Sequence, residues 1–158
     1  MRRKLLFLLA LMTVAANCMT VQAKTIEVPQ KVVDISEELG GQYSICPELI
    51  QAICWRESRF TEDAANGNCV GIMQVNTKWH KERMKHLGVT DLMDARQNMT
   101  VAVDYLAEIA ADGRDIAETL MIYHGESNML EKLEKGEISD YAAEILTVSE
   151  DLERKNGK

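Results

Sequence analysis

A glutamate on the apolar face of a predicted helix is the first residue of this chain whose position needs a chemical explanation. Pro47 suits the first position of a helix, because its missing N–H group would have no partner there. The face that follows has helical periodicity and consists of Ile50, Ile53, Cys54 and Glu57. Burial disfavours the charged form of a carboxyl group and raises its pKa. A glutamic acid that stays protonated near neutral pH can donate a proton to a leaving oxygen, as cleavage of a glycosidic bond requires.

The alternative is that Glu57 is a solvated side chain at a helix end. Two observations favour the buried interpretation. The helical phase places Glu57 with the isoleucines, and it directs Arg56 and Arg59 away from that face. A buried carboxylate without a partner is costly unless it is neutral or serves a function.

The elements that must position Glu57 are predicted to be helices, and no segment has the pattern of a strand. Further helices are predicted at 31–39, ended by Gly40-Gly41, at 77–87, at 95–111, from a cap at Asp115 to His124, at 130–135, and from a cap at Ser139 or Asp140 onwards. Residues 71–76 fit either a turn or the start of a helix. The predicted fold class is mainly α, with little or no sheet. Its compact domain covers 42–155, after a lead-in and short helix at 24–41.

Composition and charge exclude several kinds of function. The chain has a net charge of −7, and it has no cluster of Lys and Arg after its N-terminus, so nucleic-acid binding has little support. It contains no C-x-x-C and no H-E-x-x-H motif, and its three histidines lack ligand spacing. We therefore expect no metal and no cofactor.

The N-terminus has the pattern of a signal peptide. A basic segment, Arg2 to Lys4, precedes an apolar run at 5–16. Val21 and Ala23 then place small residues at the −3 and −1 positions of a cleavage site. We expect residues 1–23 to be removed and the mature chain to be exported. An uncleaved membrane anchor is the alternative, although the apolar run is short for a span. A lipoprotein site at Cys18 is disfavoured, because Asn17 is larger than the residue that usually precedes such a cysteine.

Export would make a disulfide chemically accessible. The mature chain would keep Cys46, Cys54 and Cys69, an odd number that fits one bridge and one thiol. Either of the first two could pair with Cys69. We favour Cys46–Cys69, because Cys54 lies on the predicted core face, where a thiol behaves as a small apolar group.

Several short motifs occur in a recognisable order along the chain. They are E-S-R-F at 57–60, G-I-M-Q at 71–74, Tyr123, and Tyr141-Ala142. Together they resemble the soluble lytic transglycosylase (SLT) domain, a lysozyme-like family, over roughly residues 42–146. The resemblance implies a lysozyme-like helical fold. It also implies cleavage of the β-1,4 bond between N-acetylmuramic acid and N-acetylglucosamine in peptidoglycan, with Glu57 as the single acid/base and a 1,6-anhydro product.

The resemblance also implies a set of residues around the substrate. Predicted substrate-binding residues are Ser58, Gly71, Met73, Gln74, Asn76, Tyr123 and Tyr141. Each has a structural alternative: a helix-end hydroxyl for Ser58, a turn for Gly71, core packing for Met73, a cap for Asn76, a satisfied core tyrosine for Tyr123, and packing, which we favour, for Tyr141. Asn98 is expected to tie a helix end to a loop. The chain departs from the family at Tyr123-His124-Gly125, where Tyr-Asn-x-Gly is usual, and at Asn66, near a loop position often occupied by serine.

Two other functions compete with this one. A hydrolytic muramidase of the goose-type lysozyme fold would need a second carboxylate to activate water, and Glu62 and Asp63 are the nearby candidates. A non-catalytic wall-binding or assembly module is disfavoured by the presence of Glu57.

The location and partners also follow from these patterns. We expect a monomer located outside the cytoplasm, in the periplasm, at the cell wall or in the medium. Its substrate would be peptidoglycan glycan strands. The acidic mature chain is poorly suited to hold an anionic wall by charge, so recruitment by a secretion or conjugation assembly is a hypothesis.

Overall fold

A computed structural model describes residues 26–158 of the chain. The predicted signal peptide and its cleavage site after Ala23 lie outside the described residues. Within residues 26–158, no helix combines the length and the apolar character that a membrane span requires. The export prediction therefore stays a prediction.

The described part of the chain is mainly helical, as predicted. Its helices are α1 (Gln30–Tyr43), α2 (Pro47–Ser58), α3 (Lys81–Leu87), α4 (Ala95–Ala110), α5 (Ile116–His124), α6 (Met129–Glu134) and α7 (Asp140–Lys155). Three two-residue strands, β1 (Ala65–Asn66), β2 (Cys69–Val70) and β3 (Val75–Asn76), form an antiparallel sheet in the order β1-β2-β3. The prediction of little or no sheet agrees with this single small sheet, which shapes the loop after α2.

Helix α2 lies at the centre of the fold and packs against α1 and α7. The predicted apolar face is confirmed, because Ile50, Ile53 and Cys54 are fully buried. The helix ends when Arg59 adopts a left-handed backbone conformation with φ of 54°. Glu57 consequently occupies the last turn of α2, at the edge of the core.

Three helices begin at a capping side chain, and the sequence predicted two of these caps, Asp115 and Ser139. Oxygens of Asp94, Asp115 and Ser139 accept hydrogen bonds from the backbone N–H groups of Gln97, Glu118 and Ala142, at 2.9, 2.8 and 3.1 Å. Such caps satisfy donors that have no partner within the helix. They fix where α4, α5 and α7 begin, and α5 and α7 carry residues of the site described below.

The prediction that Gly40-Gly41 ends the first helix is wrong, since α1 continues to Tyr43. Gly40 serves a tertiary contact instead. A Cβ atom there would lie 2.6 Å from the carbonyl oxygen of Ile45 and 2.9 Å from Cγ of Pro47. The absence of a side chain therefore lets the end of α1 approach the start of α2.

The prediction of a helix from residue 77 is also wrong at its start, because α3 begins at Lys81. Residues 76–80 form a turn. The side-chain oxygen of Asn76 accepts hydrogen bonds from the N–H groups of Lys78 and Trp79, at 3.0 and 3.3 Å. The N–H group of Thr77 donates to the carbonyl of Asn68 at 2.9 Å, which ties the turn to the sheet.

Candidate active site

The carboxyl group of Glu57 is largely buried and faces α7. Its Oε1 atom accepts a hydrogen bond from the hydroxyl of Tyr141, with 2.5 Å between the oxygens. Burial raises the pKa of Glu57 above its ordinary value. The Tyr141 hydrogen bond and the charges of His124 and Arg56 oppose this rise without cancelling it. Glu57 can therefore exist as a neutral acid that is held in one orientation.

Glu57 opens into a cleft of about 320 Å³. Polar and aromatic residues make up much of its lining: Asn66, Cys69, Gln74, Asn76, Trp79, His80, Tyr105, Tyr123 and His124. Glu57 is the only carboxylic acid among the described residues that line this cleft. The cleft thus offers a single proton-transferring carboxyl group surrounded by groups that can hydrogen-bond and stack.

The segment 71–74 is held in place by Asn98, which is fully buried in the first turn of α4. The Nδ2 atom of Asn98 donates to the carbonyls of Val70 and Leu92, at 2.8 and 2.9 Å. Its Oδ1 atom accepts from the N–H group of Met73 at 2.9 Å. Asn98 ties α4 to the loops beside the cleft, as the sequence predicted.

Gly71, a predicted substrate-binding residue, is not among the described residues that line the cleft. Its φ is +79°, a conformation that disfavours a side chain. A Cβ atom at this position would overlap the side-chain amide of Asn98 and the carbonyl of Leu92. Glycine is required here for the close contact with Asn98 and the Leu92 carbonyl.

Met73 is fully buried in the core, so the predicted contact of its side chain with substrate is wrong. Its backbone remains important to the site. The carbonyl of Met73 accepts a hydrogen bond from the hydroxyl of Tyr123 at 2.9 Å. Tyr123 lines the cleft, but its hydroxyl is thereby used to fix α5 against the 71–74 segment.

Ser58 supports the site from behind through hydrogen bonds to the backbone, and its predicted contact with substrate stays a prediction. Its hydroxyl lies 2.8 Å from the carbonyl oxygen of Ile72, to which it donates, and it accepts from the N–H group of Thr61 at 3.1 Å. The alternative of a local structural role therefore describes Ser58. Both contacts fix the end of α2, and with it the direction of the Glu57 side chain.

Gln74 and Asn76, both predicted to bind substrate, line the cleft, and their polar groups are partly engaged. The Nε2 group of Gln74 donates to the carbonyls of Gly71 and Ala64, at 2.9 and 3.2 Å. Because both of its donor hydrogens are used, only the amide oxygen of Gln74 can serve a ligand. Asn76 caps the turn at 76–80, which is the alternative that the sequence allowed.

Tyr141 was expected to serve packing, and the structure corrects this interpretation. Its hydroxyl is the hydrogen-bond donor to Glu57, and burial holds its pKa well above the ordinary value. Tyr141 therefore stays a donor over the working range of pH. The ring of His124 stacks on that of Tyr141, with 4.0 Å between centroids and 5° between planes. His124 thus stands beside the acid, at the position where the chain departs from the family pattern.

Four of the polar and aromatic residues that line the cleft were not among the predicted catalytic or substrate-binding residues: Cys69, Trp79, His80 and Tyr105. No spacing rule marks them, because they converge only when the sheet and the turn at 76–80 form. Trp79 offered one usable signal. A tryptophan in a polar stretch just after G-I-M-Q is an apolar residue without a helical stripe to join.

The predicted Cys46–Cys69 disulfide is not formed, and Cys46, Cys54 and Cys69 are free thiols within the described residues. Cys46 precedes the first turn of α2, where its Sγ atom lies 3.2 Å from Oε2 of Glu48. Cys69 lines the cleft together with Glu57, which lies in the last turn of α2. The two cysteines therefore lie toward opposite ends of α2 and are not paired.

The chain matches the family model described as the transglycosylase SLT domain over residues 34–144. The match covers most of the chain, and the protein therefore belongs to this family. No curated protein matches the chain significantly. The family assignment agrees with the lysozyme-like, mainly helical fold and supports lytic transglycosylase activity on peptidoglycan.

Proposed function

We propose that this protein is a lytic transglycosylase that cleaves the β-1,4 bond between N-acetylmuramic acid and N-acetylglucosamine in peptidoglycan. Glu57 is its single acid/base, and the product carries a 1,6-anhydro ring. The observation that supports this most strongly is the carboxyl group of Glu57, which is largely buried at the cleft and hydrogen-bonded to Tyr141.

In the first step, protonated Glu57 donates its proton to the glycosidic oxygen, and the bond to C1 of the muramic residue breaks. The raised pKa of Glu57 keeps this proton available at higher pH than in a solvated glutamate. The Tyr141 hydroxyl stabilises the carboxylate that is left, because a hydrogen bond to a charged acceptor is stronger than one to a neutral acceptor.

In the second step, the Glu57 carboxylate accepts the proton of the C6 hydroxyl, and O6 attacks C1 to close the anhydro ring. Glu57 returns to its protonated form, and no water is consumed. The N-acetyl group of the muramic residue assists by stabilising the positive charge at C1. One carboxyl group is sufficient because it acts first as acid and then as base.

The competing hydrolytic mechanism needs a second carboxylate that activates water across the sugar. Neither candidate lies among the described residues of the cleft lining. Glu62 forms an exposed ion pair with Lys31 at 2.7 Å, outside the cleft. The arrangement therefore favours ring closure by the sugar's own hydroxyl over attack by water.

The test is the chemistry of the released ends. Purified protein is incubated with peptidoglycan, and the soluble fragments are analysed by mass spectrometry. Anhydro-muramic ends are expected, and they should disappear with Glu57→Gln. Fragments with reducing ends only would identify a muramidase. No fragments from a folded wild-type protein would favour the non-catalytic module.

The proposed substrate lies outside the cytoplasmic membrane, so the function requires export. The signal-peptide pattern supports export with cleavage after Ala23. Recruitment to a secretion or conjugation assembly would compensate for the acidic chain, which is poorly suited to bind an anionic wall. Mass spectrometry of the exported protein should give a chain that begins at Lys24, and an intact N-terminus would contradict it.

A further inference from the structure

Trp79 leaves most of its indole in water. It is 77% exposed, the largest value among the exposed large hydrophobic side chains of residues 26–158. An indole is one of the largest apolar surfaces that a residue can bury, so leaving it exposed forgoes a substantial stabilisation. Trp79 also lines the cleft that contains Glu57. An exposed aromatic ring at this position is suited to contact a ligand.

The backbone of Trp79 is rigidly supported although its ring is free. Its N–H group donates to the side-chain oxygen of Asn76, and the N–H group of His80 donates to the backbone carbonyl of Asn76 at 3.1 Å. A Cβ atom at Gly125 would lie 3.9 Å from Cζ3 of the indole, so the ring lies beside the C-terminal end of α5. A platform held in this way loses little entropy when a ligand stacks on it.

We infer that Trp79 forms a sugar-stacking position in the cleft, separate from the bond-breaking position at Glu57, for an N-acetylated pyranose ring of the glycan strand. This inference rests on the proposed function. The C–H groups on the face of a pyranose ring are apolar and fit the face of an indole. The side-chain amides of Asn66 and Asn76 line the same cleft and can hydrogen-bond an N-acetyl group or hydroxyls.

The lining favours sugar over the stem peptide of peptidoglycan. None of the described lining residues is Lys or Arg, so the cleft offers no fixed cation to a peptide carboxylate. In this proposal the ring stacked on Trp79 is a further sugar, beyond the two that the cleaved bond joins. Affinity should therefore increase with glycan length, and this increase should depend on Trp79.

The experiment measures binding without cleavage. The chain contains two tryptophans, so Glu57→Gln combined with Trp55→Phe leaves Trp79 as the only indole reporter. Titration with chito-oligosaccharides of increasing length should shift its fluorescence saturably. In the Glu57→Gln protein with Trp55 retained, calorimetry should show that Trp79→Ala weakens binding of the longest oligosaccharide about tenfold. Trp79→Phe should recover most of this loss.

Leu130→Ala is the matched control, because Leu130 is 70% exposed and does not line the cleft. Its affinity for the oligosaccharide should equal that of the parent protein. Unchanged affinity in Trp79→Ala, or an indole that responds to free stem peptide and not to chito-oligosaccharide, would overturn the inference.

The same proteins separate this inference from the proposed function. Oligosaccharide binding that depends on Trp79, in a protein whose wild type releases no anhydro ends, would leave the stacking position and refute the proposed chemistry. Anhydro products together with oligosaccharide binding that does not depend on Trp79 would support the proposed chemistry and refute the stacking position.

Discussion

The hydroxyl of Tyr141 lies 2.5 Å from Oε1 of Glu57, across 84 residues of sequence. This hydrogen bond opposes the effect of burial on the pKa of Glu57. The two effects therefore favour different forms of Glu57. Burial favours the protonated acid, and the Tyr141 hydrogen bond stabilises the carboxylate once the proton has left. The two residues are provided by α2 and α7, which pack directly against each other.

Tyr141→Phe should affect both rate and pH dependence. Loss of the hydrogen bond should raise the pKa of Glu57 further and move the alkaline limb of the activity profile to higher pH. The maximal rate should fall roughly tenfold to a hundredfold, since hydrogen bonds to charged groups contribute about 1.5–3 kcal/mol. Tyr43→Phe is the matched control, because the Tyr43 hydroxyl donates to Asp104 at 3.3 Å, away from the cleft. An unshifted alkaline limb in Tyr141→Phe would contradict the role assigned to this hydroxyl.

Glu57→Gln should abolish turnover and stabilise the fold at neutral pH. The loss of a general acid costs roughly a hundredfold to ten-thousandfold in rate. The pKa of Glu57 is raised in the folded state, so ionised Glu57 destabilises the fold as pH rises through that pKa. Glutamine removes this cost. Thermal melting at pH 7 should show a higher Tm than wild type, with a smaller difference at pH 4, and an equal difference at both would contradict the prediction.

Glu48 should show the opposite pH dependence. It is fully buried, which would raise its pKa, but hydrogen bonds from Lys158, Asn156 and Cys46 outweigh burial and lower the pKa to about 2. Its contribution is therefore complete above the unfolded value of about 4.3 and is lost as pH falls toward 2. Because Lys158 is half-exposed and water screens its charge, this contribution is at most about 3 kcal/mol.

The variant Glu48→Gln should lower the urea midpoint at pH 6 and lose most of this difference at pH 2.5. Glu62→Gln serves as control, because its partner is an exposed lysine and surface ion pairs contribute about 0–1 kcal/mol. A similar effect of both variants at pH 6 would show that the hydrogen bonds of Glu48 stabilise the fold no more than a surface ion pair does.

Gly71 and Gly67 provide a matched pair. Both have positive φ, at 79° and 61°, so alanine strains the backbone at either position by about 1 kcal/mol. A Cβ atom at Gly67 meets nothing within 4 Å, whereas one at Gly71 overlaps Asn98 and the Leu92 carbonyl. Gly71→Ala should therefore destabilise by several kcal/mol and reduce activity, while Gly67→Ala costs only the backbone term. Equal losses in urea unfolding would show that the overlap is relieved.

The sequence predicted the features that depend on neighbouring residues and missed those that depend on contacts between distant elements. The caps at Asp115 and Ser139 depend on atoms three residues apart, so local patterns revealed them. Gly40 was misread because its role is a contact with Ile45 and Pro47 in another element. The strands are two residues long, too short for an alternating pattern to appear.

The candidate site divides in the same way. Glu57 was found because an acid on an apolar helical stripe is a local anomaly. The donor to that acid was misjudged, since nothing near Tyr141 in the sequence indicates a partner on α2. Met73 and Gly71 belong to the motif, but packing decides that they face Asn98 and the core instead of the cleft.

His124 provides the last prediction, because it occupies the position of an asparagine in the usual family pattern. Its ring stacks on Tyr141, and its charge, when protonated, lowers the pKa of Glu57. His124→Phe keeps a stacking ring and removes the charge. The pKa of Glu57 should then rise, so the alkaline limb should move to higher pH while KM stays nearly constant.

His124→Ala removes the ring as well and lets Tyr141 move. Its maximal rate should fall severalfold, since loss of an aromatic contact costs about 0.5–1.5 kcal/mol. Activity profiles of both variants from pH 4 to pH 8 separate the two effects. A shifted alkaline limb in His124→Phe would show that the charge of His124 acts on Glu57. A lower maximal rate in His124→Ala alone would show that the His124 ring positions Tyr141. Identical profiles for the two variants would exclude a stacking role, because only one of them retains the ring.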